Sequence, residues 1–307
     1  MSPSRRSFLG GAAAGAFSLS LAPLTARAAQ DPAPLEAVQR KRIPRTGELL
    51  PAIGLGTSRT FDVDPSGEMP ALVEVMAGFL ARGGSLIDSS PMYGKAEAVV
   101  GELLRRVGRR DAFYATKVWT DKGREAGIGQ MEASERLMGT DRFDLMQVHN
   151  LVGLEVQMAT LRDWKAEGRI RYLGITEMRD FAKVEELING GEIDFIQIPY
   201  SLGDRRVEER VLPAALDHGV AVLVMRPFEA GRLFQAMKGK EIPGWAAELG
   251  ITSWAQLFLK FLLGHPAVTC PIPATSKPHH LVDNMRGGVG PLPDAAARAK
   301  MVALLEG

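Results

Sequence analysis

Residues 86–94, LIDSSPMYG, decide how this chain reads. Leu86 and Ile87 look like the end of a buried strand, and Asp88 stands where that strand should stop. Ser89, Ser90, Pro91 and Gly94 are turn formers. Tyr93, five positions after Asp88, falls inside the turn. A carboxylate at a strand end and a phenol in the loop behind it can be held rigidly at one site. Taken alone, the stretch also reads as a surface loop in which Asp88 caps a helix and Tyr93 is half-buried.

Working outward, apolar strand-like runs recur at 53–57, 85–90, 113–118, 145–150, 172–176, 195–200, 221–225 and 268–272. Longer stretches with helical spacing lie between them, for example 71–82, 96–107, 155–167, 207–217 and 252–263. Strands that are apolar throughout, rather than alternating, are buried on both faces. Eight of them alternating with helices predict an α/β fold, a parallel (β/α)8 TIM barrel. The alternative is an open doubly wound sheet. Against it, Gly54-Leu55-Gly56-Thr57 starts a glycine-rich turn, but no third glycine follows and the next helix is far off. Residues 42–50 read as a short hairpin about Thr46-Gly47 ahead of the barrel. Residues 228–250 form a longer insertion after the seventh strand, with the composition of a loop over the barrel mouth. A last helix is predicted over 293–305.

The first residues are a separate object. Ser4-Arg5-Arg6-Ser7-Phe8-Leu9 precedes an Ala- and Gly-rich apolar run at 10–22 and then Ala26-Arg27-Ala28, an A-x-A cleavage pattern. A basic start, a short apolar middle and small residues at the end make a secretory signal rather than a membrane span. The Arg-Arg pair followed by Phe-Leu resembles the twin-arginine (Tat) export signal. The expected organisation is a signal peptide at 1–28, a linker at 29–39 and the barrel at 40–307. It implies the Tat machinery as a partner of the leader, and a periplasmic or otherwise exported protein with no membrane span in the mature chain.

Composition excludes several classes. The 307 residues are 46% hydrophobic and 24% charged, an ordinary globular balance, and a barrel of about 250 residues can be one domain. Net charge is +1 without basic blocks, so no nucleic acid partner is implied. Cys270 is the single cysteine, which rules out an intramolecular disulfide. No Cys/His cluster suggests a metal.

In a barrel of this kind the working face is the C-terminal end of the strands. There the second strand gives Asp88 and, just beyond, Tyr93; the third gives Lys117 and the fourth His149. A lysine and a histidine ending apolar strands are costly to bury without partners. Singly, each residue has an ordinary structural reading: a cap, a core phenol, a snorkelling lysine, a satisfied histidine. At one end of consecutive strands, the four have a shared chemistry, proton donation to a carbonyl. A free phenol with a pKa near ~10 is a poor donor, and a nearby ammonium stabilises its phenolate. A carboxylate holds the ammonium, and an imidazole orients the substrate oxygen.

These motifs resemble those of the aldo-keto reductases over nearly all of residues 40–290. LIDSSPMYG is similar to the family's Asp and Tyr motif, ATKV to its Lys motif and LMQVHN to its His motif, with Tyr93 to Lys117 spaced by 24 and Lys117 to His149 by 32. The resemblance implies a nicotinamide cofactor, NADP with NAD possible, and a small-molecule carbonyl substrate. It implies Tyr93 as general acid, Lys117 and Asp88 as its tuning pair, and His149 as the orienting group. It also implies a cofactor-phosphate loop at 272–284 after the eighth strand, the strand–loop–helix pattern suited to anions. Ser276 and Lys277 would meet a 2′-phosphate, Asp283 and Asn284 the adenine, and His280 also falls among the cofactor-binding positions, with Lys277 the main cation. Gly56, Thr57, Gln197, Tyr200 and Ser201 occupy positions that line the family's nicotinamide region. Three features depart from the family. Ala274 and His280 replace the frequent Lys and Arg, Thr176-Glu177 replaces a Ser-Asn pair, and Arg226-Pro227-Phe228 stands where a stacking aromatic often does. Arg226 either contacts the pyrophosphate or pairs with Glu229.

The first functional reading is therefore an exported, nicotinamide-dependent carbonyl reductase. The second is a cofactor-binding sensor with little turnover, which the altered nicotinamide contacts keep open. A hydrolase is disfavoured, since no Ser or Cys nucleophile stands beside a base.

Overall fold

A computed structural model describes residues 38–306. The leader expected at 1–28 lies outside the described residues, as does the expected linker up to residue 37. The linker's last two residues, Val38 and Gln39, are anchored instead: Val38 is buried, and the Gln39 N–H donates to the Gly288 carbonyl at 2.8 Å.

Two short strands, β1 (Arg40–Arg42) and β2 (Leu49–Pro51), pair antiparallel as the expected hairpin. Eight parallel strands follow: β3 (Leu55–Gly56), β4 (Leu86–Asp88), β5 (Phe113–Val118), β6 (Phe143–Val148), β7 (Ile170–Thr176), β8 (Phe195–Pro199), β9 (Ala221–Met225) and β10 (Val268–Pro271). Each pairs with its neighbour in chain order, so every connection is a crossover of one hand. The two ends of this sheet meet. Gly54 N–H donates to the Pro271 carbonyl at 3.0 Å, Gly56 N–H to Pro273 at 3.3 Å, and Gly56 bridges Ala274. The sheet is therefore a (β/α)8 barrel and not an open doubly wound sheet. A Cβ on Gly56 would fall 2.6 Å from the Ile272 carbonyl oxygen, so the first and eighth strands can approach this closely only over a glycine.

Strand parity divides the apolar residues into two cores. Leu86, Phe113, Leu145, Tyr172, Phe195, Leu223 and Cys270 fill the barrel, together with Ile43 and Leu50 of the hairpin. The hairpin thus plugs the N-terminal mouth. Lys41 fixes it there by donating to the carbonyls of Leu263 at 2.7 Å and Val268 at 2.9 Å. Residues of opposite parity, such as Ile87, Tyr114 and Met146, pack outward against the helices.

The helices follow the expected spacing. They are α1 (Pro70–Ala81), α2 (Ala96–Arg106), α3 (Arg124–Met138), α4 (Leu154–Ala166), α5 (Phe181–Asn189), α6 (Val211–Asp217), α7 (Arg232–Ala236), α8 (Trp254–Leu263), α9 (Pro278–Arg286) and α10 (Ala295–Glu306). In α2, Ala96, Val99, Val100, Leu103 and Leu104 form the buried stripe while Arg105 and Arg106 close its C-terminal turn. One prediction needs correction. The helix read over 207–217 is a single 3-10 turn, Arg206–Glu208, followed by α6. Pro213 has no N–H and would clash with the carbonyl four residues back, so the helix restarts with Pro213 in its first turn. The 228–250 insertion contributes Phe228, Ala230, Gly231 and Phe234 to the mouth of the barrel, as its composition suggested.

The crossing of α2 and α3 hangs on Gly101, where an added Cβ would stand 2.2 Å from the Leu137 carbonyl oxygen. Alanine at a helix interior gains about 1 kcal/mol over glycine in propensity, but overpacking against rigid backbone costs about 1–3 kcal/mol. The clash decides the sign, because no side-chain rotation relieves it. Gly101→Ala is expected to lower the urea midpoint, and an unchanged or raised midpoint would show that the two helices can part freely.

Candidate active site

The inward parity of β4, β5 and β6 brings Asp88, Lys117 and Gln147 into the barrel near its C-terminal end, and His149 follows as β6 turns into a 3-10 turn. Lys117 is fully buried and Asp88 nearly so. Lys117 Nζ donates to Asp88 Oδ2 at 2.6 Å and to the Ser89 carbonyl at 2.7 Å. The other carboxylate oxygen, Oδ1, accepts from Gln197 Nε2 at 2.8 Å and Gln147 Nε2 at 3.1 Å. Three side-chain donors therefore converge on the Asp88 carboxylate.

Tyr93 is held by the turn after β4, where its N–H donates to the Ser90 carbonyl at 3.0 Å. Lys117 Nζ lies 5.0 Å from the centre of its ring, and the His149 ring meets it edge-on with centroids 5.9 Å apart. Ser90 Oγ and His149 Nδ1 are 3.0 Å apart. Ser90 Oγ also accepts the Met92 N–H at 3.3 Å, and in the tautomer where its own hydrogen goes to Nδ1 the imidazole proton sits on Nε2. The four residues singled out from the sequence thus form one cluster.

Its electrostatics differ from the simple expectation. Burial pushes the Tyr93 phenol above its ordinary value; Lys117 pulls it down, Asp88 pushes it up again, and burial wins. For Lys117, burial alone would depress the ammonium, but Asp88 and Tyr93 beside it more than offset that and leave it raised. His149 is pushed down to about 3, first by burial and then by Lys117. At neutral pH the cluster presents a protonated phenol and a neutral imidazole above a fixed ammonium.

The cluster opens into a cavity of about 760 Å³ at the C-terminal mouth. Of the expected cofactor residues, Gly56, Thr57, Gln197 and Arg226 line it, with Asn150, Met178, Met225 and Phe228. Ser201 lines an adjoining hollow of about 380 Å³ that shares Met178, Arg226 and Ala230 with the first. Glu229 accepts from Ser201 Oγ at 2.5 Å and from Arg232 Nε at 3.0 Å, so Arg226 is not its partner. Tyr200 lines the same hollow as Ser201. Gln197 points inward, so by alternation Tyr200 points out; its ring packs on Phe261 and its hydroxyl meets Glu208 and Arg298. Ser276, Lys277 and His280 are exposed on the connection from β10 into α9, outside the mouth cavity. Asp283 turns to α8, accepting from Ser253 Oγ at 2.9 Å and Gln256 Nε2 at 2.6 Å, while Asn284 is buried.

The departures at Thr176 and Glu177 have local causes. Thr176 Oγ1 accepts the Asn150 N–H at 3.0 Å. Glu177 Oε1 accepts the N–H groups of Met178 at 2.8 Å, Arg179 at 2.7 Å and Asp180 at 3.2 Å. Sequence reading passed over two members of the site, Ser90 and Gln147. The signal for Gln147 was present: it is two residues before His149 in an otherwise apolar strand, and period two puts both on the inner face.

His149 and His265 are depressed to about 3 and about 4 from an ordinary 6.5, chiefly by burial. Below about pH 6.5 the unfolded chain takes these protons and the fold refuses them, so stability is full above that pH and falls as pH drops toward 3–4. Replacing His149 with Gln should make the acid limb of a stability–pH curve shallower; an unchanged limb would mean that His149 is protonated in the fold near its ordinary value.

Comparison with known proteins agrees with this geometry. The Aldo/keto reductase family profile matches residues 52–299. Methylglyoxal reductase YeaE of Escherichia coli (strain K12) is 32% identical over 258 residues, which cover 80% of this chain and 89% of that protein. The NADH-specific methylglyoxal reductase of the same organism is 30% identical over 189 residues, covering 53% and 58%. Among solved structures, an aldo/keto reductase from Klebsiella pneumoniae in complex with NADP and acetate superposes with a TM-score of 0.74 at 26% identity, covering 87% of this chain and 96% of that one. With the barrel, the buried Asp–Lys pair and a family match across most of its length, this chain belongs to the aldo/keto reductase family.

Proposed function

We propose that the protein reduces a small aldehyde or ketone at the expense of a nicotinamide cofactor, with Tyr93 as general acid. The observation that carries this reading is the convergence of Tyr93, Lys117, Asp88 and His149 at the floor of the mouth cavity. The cavity and its neighbouring hollow share Met178, Arg226 and Ala230, and we read them as one cleft that suits an elongated anionic dinucleotide, with Arg226 at the junction. NADP fits this cleft and NAD is possible. The relatives are named for both forms, one as NADH-specific and one solved with NADP. Gln197, Ser201 and Arg226 would hold the bound cofactor within the cleft, and Ser276, Lys277, His280 and Asn284 its adenosine end.

When bound, the cofactor supplies the hydride to the carbonyl carbon. The protein supplies the proton. Burial keeps the Tyr93 phenol protonated, ready to donate its O–H to the carbonyl oxygen as negative charge develops there. Lys117 then stabilises the phenolate left behind, and Asp88 keeps the ammonium in place. His149, neutral and oriented by Ser90, donates its Nε2 hydrogen to the same oxygen and fixes its direction. The phenolate recovers its proton from solvent.

Purified protein mixed with NADPH or NADH and a panel from methylglyoxal to larger aldehydes should consume reduced cofactor. Tyr93→Phe should bind cofactor normally and lose at least ~10²-fold in turnover, the scale of general acid catalysis. Near-normal turnover in that variant would remove Tyr93 from the role, and cofactor binding without turnover in the wild type would point to a sensor.

We also propose that residues 1–28 direct export through the twin-arginine route. The Arg5-Arg6 pair, the apolar run and the Ala26-Arg27-Ala28 end support it, and a barrel that captures its cofactor before export suits a pathway for folded proteins. Changing Arg5 and Arg6 together to Lys should retain the protein in the cytoplasmic fraction; undiminished export of that variant would sink the assignment.

A further inference from the structure

The proposed reaction uses one oxygen of Asp88, the Oδ2 that holds Lys117. The second, Oδ1, has its own pair of donors. Gln147 is fully buried on β6, in register with Lys117 on β5. Its Nε2 donates to Asp88 Oδ1 at 3.1 Å, and its Oε1 accepts from Gln197 Nε2 at 3.4 Å while Gln197 itself donates to Asp88 Oδ1 at 2.8 Å. The reversed amide would set Oε1 against a carboxylate oxygen, acceptor facing acceptor, so the orientation follows from the chemistry. Gly174, the β7 residue beside Gln147, lets β7 and β8 pack closely here: a Cβ there would come 2.9 Å from the Phe195 carbonyl oxygen.

We propose that Gln147 is a positioning residue of the active site, whose amide fixes the rotation of the Asp88 carboxylate and draws off part of its charge, so that Lys117 stays under Tyr93 with its field only partly cancelled. This rests on the reading of Tyr93 as the acid. Without Gln147 the carboxylate keeps Lys117 and Gln197 but loses one of the two donors on Oδ1, so it can turn and more of its charge opposes the ammonium at the phenol. Two neutral donors on Oδ1 prevent both effects without adding a second cation, which would compete with Lys117. The titratable and charged groups around the phenol are Asp88 from β4, Lys117 from β5 and His149 after β6, with Arg59, Asp62 and Arg226 at the cavity rim. Gln147 carries no charge itself and acts only through Asp88.

Two variants of similar shape test this. Gln147→Met removes the donor and keeps the volume. It should lower kcat at least ~10-fold with KM for the carbonyl changed less than about twofold, since the groups that bind substrate are untouched while the acid is misplaced. With 13C-labelled tyrosine, the Tyr93 resonance, assigned by its absence in Tyr93→Phe, should titrate at higher pH in the cofactor-free Met variant than in the wild type. Gln147→Glu should be slower than Met at alkaline pH, where two carboxylates face each other. It should recover as pH falls, because a protonated Glu donates to Asp88 as the amide does. A space-filling role would move none of these readouts. A folded Met variant with unchanged kcat and an unchanged Tyr93 titration overturns the proposal. If Met weakens the barrel, the Glu variant gives the same decision from its pH profile. If the wild type reduces no carbonyl at all, the reductase reading fails, and the tyrosine titration still decides the link from Gln147 to the phenol.

Discussion

The ion pair between Lys117 and Asp88 is the contact around which the site is organised. Both groups are removed from water, which costs several kcal/mol per ion, and their attraction repays this only when the remaining hydrogen-bonding capacity is filled. Here it is filled. Lys117 reaches a carboxylate and a carbonyl, and Asp88 receives three side-chain donors from three other strands. Such a set needs a scaffold that aims residues from β4, β5, β6 and β8 at one point, and a closed parallel barrel does this by parity alone. The hairpin at the opposite mouth seals the interior, so these polar contacts sit in a dry, low-dielectric medium where they are strong.

The same dryness explains the titration behaviour of the other two residues. An exposed phenol beside a lysine would be pulled toward ionisation. In this interior the lysine's charge is balanced by Asp88, and the cost of a buried phenolate dominates, so Tyr93 stays protonated. His149 meets the same penalty with the opposite sign of charge and stays neutral. One physical cause, desolvation next to a compensated ion pair, produces both a proton donor and an uncharged hydrogen-bond donor side by side. Neither state requires its own device.

Much of this was legible from the chain. Eight strands without polar alternation demanded burial on both faces, and four chemically loaded residues fell at the ends of consecutive strands. What stayed hidden depended on contacts between distant segments. Asp283, read as an adenine contact, accepts from Ser253 at the cap of α8 and from Gln256 within it, and Glu177, read only as a departure from the family, is held by three backbone N–H groups of its own turn. Tyr200 lines the hollow beside the mouth cavity, but its ring packs on Phe261 and its hydroxyl meets Glu208 and Arg298, contacts to distant segments of the same kind. Gln147 was missed although alternation pointed to it. The split before α6 was likewise readable from Pro213.

The loops around the mouth show a further division of labour. Seven described non-glycine residues have positive φ; Arg59, Asn150, Arg226 and Ala230 line the mouth cavity, and Glu229 lines the hollow beside it. For residues other than glycine this region of backbone space is costly, and such conformations persist only where surrounding contacts over-determine them. Those contacts are present: Thr176 Oγ1 holds the Asn150 N–H, and Glu229 is fixed through Ser201 and Arg232. The barrel floor, by contrast, is built from regular strands. Five of the seven strained residues thus sit at the rim, where a ligand would be selected, and none is in the strands that carry Asp88 and Lys117. A rim of this kind can change its lining residues without disturbing the ion pair below it, because the two share the strand ends but not the hydrogen bonds. That separation leaves the lining of the mouth free to differ while the buried ion pair stays as it is.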